Sequence, residues 1–138
     1  MEIVPNIWLG NRDVANSSAW LRLHSIGALF DCTTTTHTSP TNKQIHTIEC
    51  KEIDGALLSV LANAYKTLTP ALIYCETGNG KSASLVAAFL IRYTGIEAEA
   101  AIRVIQTKRP EAFRPSVWRI ELLESIHASC DRQNITPL

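Results

Sequence analysis

The residues best suited to chemistry lie in one stretch, Leu72-Ile73-Tyr74-Cys75-Glu76-Thr77-Gly78-Asn79-Gly80-Lys81-Ser82-Ala83-Ser84. An apolar run ends in a cysteine, a glycine-bearing loop follows, and the loop opens a helix. Successive backbone N–H groups of such a loop point inward and form an anion cradle. The helix behind it begins with unpaired N–H groups and a partial positive charge. Gly78 and Gly80 give the loop backbone conformations closed to other residues. A phosphate-sized oxyanion is the expected occupant, with Glu76, Thr77, Gly78, Asn79, Gly80 and Lys81 around it. Cys75 would sit on the floor of the cradle, where the helix field, the loop N–H groups and the Lys81 charge favour thiolate over thiol. A thiolate there faces a bound phosphate ester in line for attack at phosphorus. Ser82 is placed to stabilise that thiolate when it leaves again.

Other motifs compete for the same loop. Gly80-Lys81-Ser82 matches the end of the nucleotide-binding pattern G-x-x-x-x-G-K-[ST], but Cys75 stands at its first glycine. Asp31, after Leu29-Phe30, is a weak candidate for the second magnesium-binding carboxylate. Gly78-x-Gly80-x-x-Ala83 also fits a dinucleotide pattern, without the acidic residue expected about 20 positions on. The pattern C-x-x-G-x-x-[RK]-S, through Cys75, Gly78, Lys81 and Ser82, gives every unusual residue a chemical role. A buried cysteine ending a strand, with no chemistry, is the bland alternative.

The surrounding elements alternate. Ile7-Trp8-Leu9 reads as a short strand ended by Gly10. Ser17 or Ser18 caps a helix through Leu23, with Gly27 at the C-terminal glycine position. Ala28 to Cys32 and Ile45 to Cys50 read as strands. Ala56 to Leu68 has helical spacing and is stopped by Pro70. Ala71 to Cys75 has the length and apolarity of a buried parallel strand. Ser82 to Tyr93 is apolar nearly all round, which predicts a buried helix closed by Gly95. Glu97 to Lys108 forms another helix, ended by Pro110, and Ser116 can cap a last one through Ile126. Thr33 to Asn42 reads as a polar surface loop. This alternation predicts one α/β domain over 1–138, a mostly parallel sheet of four to five strands flanked by helices. In such sheets ligands collect at the carboxyl ends of strands, which points to Cys75.

Composition narrows the function classes. The chain has 138 residues, 46% of them hydrophobic and 19% charged, which excludes a wholly disordered chain. Thirteen Lys+Arg balance thirteen Asp+Glu, so net charge gives no general attraction to nucleic acid or membrane. The N-terminal residues lack the basic and apolar regions of a secretory signal, and no apolar run reaches the ~20 residues of a membrane helix. The expected setting is cytoplasmic or nuclear. Cys32, Cys50, Cys75 and Cys130 show no C-x-x-C pairing and read as thiols. His24, His37, His46 and His127 lack ligand spacing, so no metal or cofactor is expected. Trp8, Trp20 and Trp118 read as core residues. Arg103, Lys108, Arg109, Arg114 and Arg119 form a basic span that attracts phosphorylated partners or is simply solvated. Cys32 ends a strand, and a reversible Cys32–Cys75 disulfide would protect the nucleophile from over-oxidation.

The chain resembles the dual-specificity branch of the cysteine-dependent protein phosphatases from about Ile7 to Ser125. Ile7-Trp8-Leu9-Gly10-Asn11-Arg12-Asp13, then Leu21-x-x-x-x-Ile26-Gly27-Ala28-Leu29-Phe30-Asp31-Cys32-Thr33, is similar to that family's opening. Tyr74-Cys75-x-x-Gly78-x-x-Lys81-Ser82 is similar to the signature H-C-x-x-G-x-x-R-S, and Gly95 to Arg109-Pro110 to the next helix and its R-P end. The resemblance implies hydrolysis of phosphate monoesters on protein Tyr, Ser or Thr through a phospho-cysteine, with phosphoinositides as substrates of some relatives. Cys75 is then the nucleophile, Lys81 and Ser82 assist, and Asp54 is the general acid, with Glu52 and Glu49 as alternatives.

Two departures lie inside the signature. Lys81 replaces an Arg, so a point charge stands where a planar fork would grip two phosphate oxygens. Tyr74 replaces a His that orders the loop. Both bear on turnover more than on phosphate binding. A pseudophosphatase that binds phosphoproteins without hydrolysing them is therefore the alternative reading, and a nucleotide-binding protein the third.

Overall fold

The computed structural model describes residues 1–33, 46–50, 53, 55–76, 80–110 and 112. Within them the elements run β1 (Glu2–Val4), β2 (Ile7–Asn11), α1 (Arg12–Ala15), α2 (Ser18–Leu23), β3 (Ala28–Asp31), β4 (His46–Glu49), α3 (Gly55–Lys66), β5 (Ala71–Cys75), α4 (Lys81–Thr94) and α5 (Ala98–Lys108). The strands make one sheet in the order β1-β2-β5-β3-β4. All neighbours are parallel except β1, which returns antiparallel onto β2. The Pro5-Asn6 turn makes that return: Asn6 takes φ 69°, a left-handed conformation that Asn tolerates at the third position of a tight turn.

β5 is central and buried along its whole length, which is why its sequence is an unbroken apolar run. Side-chain alternation splits the core into two layers. Ile7, Leu9, Phe30, Ile73 and Cys75 face the layer shared with α3, α4 and α5. Leu29, Leu72 and Tyr74 face the other, against Ala15 of α1 and Leu21 of α2. On that side Trp8, Trp20 and His24 stack at ring-centroid distances of 4.4–5.4 Å, so the two tryptophans and His24 are packing residues. α4 is buried from Ser82 to Ile91 and again at Tyr93, and Gly95 closes it in the left-handed conformation, φ 75°.

The structure corrects several element boundaries. β2 passes through Gly10 to Asn11 instead of ending at it; a Cβ on Gly10 would lie 3.1 Å from Leu72 Cδ1, so the glycine lets the two strands lie close. Ser17 does cap α2, its Oγ accepting from Trp20 N at 3.2 Å. That helix ends at Leu23 as expected, with His24 as its C-cap, but Ser25 at φ 55° makes the turn expected of Gly27. Gly27 serves strand packing instead. Its N–H donates to Pro70 O at 2.8 Å, and a Cβ there would lie 2.8 Å from Thr69 Cγ2. β3 ends at Asp31 and α3 at Lys66. The helix expected from Ser116, and most of the polar stretch Thr33 to Asn42, lie outside the described residues.

Candidate active site

The site forms where β5 delivers Cys75 to the first turn of α4. The Cys75 side chain points into the α4 layer and is 3% exposed. Its Sγ lies 3.0 Å from Ser82 Oγ, and Ser82 is wholly buried. Gly80 caps α4 through its backbone; its carbonyl accepts from Ser84 N at 2.9 Å and from Ser84 Oγ at 3.0 Å. Lys81 is the first helical residue and half-buried. Cys75, Lys81 and Ser82 are thus brought together at a helix N-terminus, where an anion is favoured. Thr77, Gly78 and Asn79 lie outside the described residues.

Neighbouring strands brace this point. Asn11 is the ladder partner of Cys75 across β2 and β5. Its Oδ1 accepts from Val14 N at 3.0 Å and caps α1. The next residue, Arg12, places Nη2 3.9 Å from Glu76 Oε1. Glu76, the first loop residue, is thereby tied to the start of α1. Sequence reasoning missed this brace; its signal was Asn11-Arg12 directly after an apolar strand, a short cap with a cation.

Tyr74 points away from Cys75 into the α1/α2 layer. Burial above all, then the charge of Asp31 and a hydrogen bond to it, push the Tyr74 hydroxyl up, and Arg12 opposes them. Asp31 also accepts from Thr33 N at 2.9 Å and from the Thr33 hydroxyl. Asp31 therefore faces away from Cys75 and Ser82, which argues against its service as a magnesium ligand beside Lys81 and Ser82. Among the described residues no group of three His, Cys, Asp or Glu is arranged to hold a metal ion. Of the acid candidates, Glu49 is exposed at the end of β4; Asp54 and Glu52 lie outside the described residues.

Cys32, Cys50 and Cys75 are buried thiols. The Cys32 thiol is pushed well up, first by a hydrogen bond with Cys50 and then by burial. In the basic span, Arg103 pairs with Glu99 at 3.7 Å and Lys108 donates to Glu2 O at 3.1 Å, so two of its charges have local partners. Arg114 and Arg119 lie outside the described residues.

The family model described as dual specificity phosphatase, catalytic domain, matches residues 7–125. The chain belongs to that family, which makes it a dual-specificity protein phosphatase domain.

Among solved structures, human DUSP28 superposes with a TM-score of 0.86 at 16% identity, over 96% of this chain and 99% of that one. The human tyrosine phosphatase-like serine/threonine/tyrosine-interacting protein gives 0.81 at 16%, over 93% and 95%. PTPMT1 in complex with PI(5)P gives 0.75 at 17%, over 96% and 97%. At these identities the likeness is one of fold. No curated protein sequence matches the chain. Among the described residues no helix is long and apolar enough to cross a membrane.

Proposed function

We infer that this domain hydrolyses phosphate monoesters on protein side chains with Cys75 as nucleophile. The observation that carries the reading is the 3.0 Å contact between Cys75 Sγ and Ser82 Oγ at the N-terminus of α4. A thiolate at that position receives a hydroxyl hydrogen bond and the field of the helix. It attacks phosphorus, the ester oxygen departs with a proton, and a phospho-cysteine forms. Water then attacks phosphorus and the thiolate leaves, with Ser82 donating to it. Lys81 supplies the cation for the phosphate, and Asp54 is the proposed proton donor to the leaving oxygen. The backbone from Glu76 to Gly80 supplies N–H donors. The substrates are phosphorylated Tyr, Ser or Thr; a phosphoinositide is the alternative, since PTPMT1 shares the fold and its structure holds PI(5)P.

Lys81 and Tyr74 favour a second reading, in which phosphoproteins are bound and not turned over. A point charge at Lys81 holds a dianion yet lacks the fork that steadies the equatorial oxygens of the transition state. Aryl phosphate hydrolysis by wild type, Cys75→Ser and Lys81→Arg separates the two. The enzyme reading expects turnover in wild type, none in Cys75→Ser and faster turnover in Lys81→Arg. Turnover that survives Cys75→Ser refutes nucleophilic catalysis. Wild type without turnover that still binds phosphopeptide supports the second reading.

A further inference from the structure

Glu76 is an awkward residue for the first position of a phosphate loop. The segment from Glu76 to Lys81 holds one carboxylate and one ammonium, so its side chains offer an incoming dianion no net charge. A carboxylate free to face the site would repel phosphate and offset the Lys81 charge. The fold supplies a cation for it from outside the loop. Asn11 and Cys75 are ladder partners at the ends of β2 and β5. One residue on, the strands part and the side chains meet: Arg12 Nη2 lies 3.9 Å from Glu76 Oε1.

Arg12 is out of place on local grounds. It is the first residue of α1, where helix N–H groups favour an anion over a cation. The pair is also a weak source of stability, since its side chains are 32% and 36% exposed and the separation is long. Its consequence lies in direction. Tyr74 faces the α1/α2 layer and Cys75 the opposite one. Arg12 opens α1, so the Glu76 carboxylate is drawn to the Tyr74 side, away from the sulfur. The Arg12 charge also reaches the Tyr74 hydroxyl, where it opposes burial and Asp31. One guanidinium thus acts on both chain neighbours of Cys75.

We propose that Arg12 is a positioning residue of the anion site: it holds the Glu76 carboxylate on the α1 side, so that the first loop residue presents phosphate with its N–H and not its charge. The inference rests on the reading of Glu76 to Lys81 as a phosphate cradle above Cys75. Arg12 acts through Glu76 rather than on the substrate. With Glu76 neutralised by Arg12, Lys81 is left as the net charge of the loop. That balance matters more here because Lys81 is a point charge without a guanidinium fork. Release of the carboxylate weakens anion binding before it touches the chemical step, so KM for an aryl phosphate rises more than kcat falls.

The test is a double-mutant cycle on the full chain. Its readout is the concentration of inorganic phosphate that halves the rate of Cys75 alkylation, followed at that residue by mass spectrometry. Wild-type Cys75 is expected to be protected, because phosphate covers the sulfur. Arg12→Met keeps the aliphatic stem and removes the charge; it is expected to raise the half-protecting concentration roughly 3- to 30-fold. In a Glu76→Gln background the same replacement is expected to change it by less than about twofold. A rise below about threefold in Arg12→Met overturns the proposal. So does the same rise in the Glu76→Gln background, since Arg12 would then meet phosphate itself, and so does a wild-type Cys75 that phosphate fails to protect. Circular dichroism checks that the variants fold, and Arg12→Gln takes the place of Arg12→Met if that one does not. Aryl phosphate turnover by wild type reports separately on the phosphatase reading: turnover without the shift sinks the positioning role alone, and the shift without turnover sinks the phosphatase reading alone.

Discussion

Replacing Ser82 by alanine isolates the contact on which the chemistry turns. The Ser82 hydroxyl lies 3.0 Å from Cys75 Sγ in a fully buried setting, so no bulk water takes its place. A hydrogen bond to a charged group contributes about 1.5–3 kcal/mol. At ~1.36 kcal/mol per factor of ten, the step that needs the thiolate as leaving group slows by roughly 10- to 150-fold. Formation of the phospho-cysteine consumes the thiolate and is spared at a pH where Cys75 is fully ionised. Rapid mixing with an aryl phosphate should therefore show a burst of phenol, then slow turnover as phospho-enzyme accumulates. The pH midpoint for alkylation of Cys75 should also move upward, because the thiolate has lost a donor. Refutation would be a Ser82→Ala enzyme with no burst, kcat within about twofold of wild type and an unmoved alkylation midpoint. Such a result would mean that the hydroxyl and the sulfur merely touch.

Phe89→Ala, at a fully buried position in α4, should lower stability by about 3–5 kcal/mol in denaturant titration. A loss under about 1 kcal/mol, the size of a surface change, would show that the layer repacks. Gly95→Ala should cost about 1 kcal/mol, because φ is 75° at the end of α4; an unchanged unfolding midpoint would contradict that geometry. Alkaline pH should destabilise the fold. Cys32 and Tyr74 stay protonated in the folded chain above their ordinary values of 9.0 and 10.0, so the unfolded chain loses those protons first. Their contribution is complete below pH 9.0 and falls as pH rises past 9.0 and then 10.0. Urea midpoints should drop across that window, and Tyr74→Phe should flatten the upper part; a level wild-type profile would refute it.

The site's floor was legible because its signals are local. An apolar run ending in Cys75, glycines in the loop and a helix apolar on every face need no tertiary knowledge to read. β1 and α1 were missed for the opposite reason. Strand Glu2–Val4 and helix Arg12–Ala15 are too short for a periodicity to show. Gly27 was misread because tertiary contact, the approach of Thr69 and Pro70, sets its need for a bare backbone. The proximity of Cys32 to Cys75 was guessed from the end of an apolar run. That Cys50 lies beside the end of β3 depends on the register of β3 on β4, a long-range fact that no window of sequence contains.

Tyr74 and Cys75 are consecutive, yet they belong to opposite sides of the sheet. One peptide plane thus couples the Leu21, Leu29 and Leu72 compartment to the sulfur. Packing behind Tyr74 bears on the strand that holds Cys75 beside Ser82, from residues that do not line the site. The two halves of the core therefore meet at the one strand that carries the nucleophile.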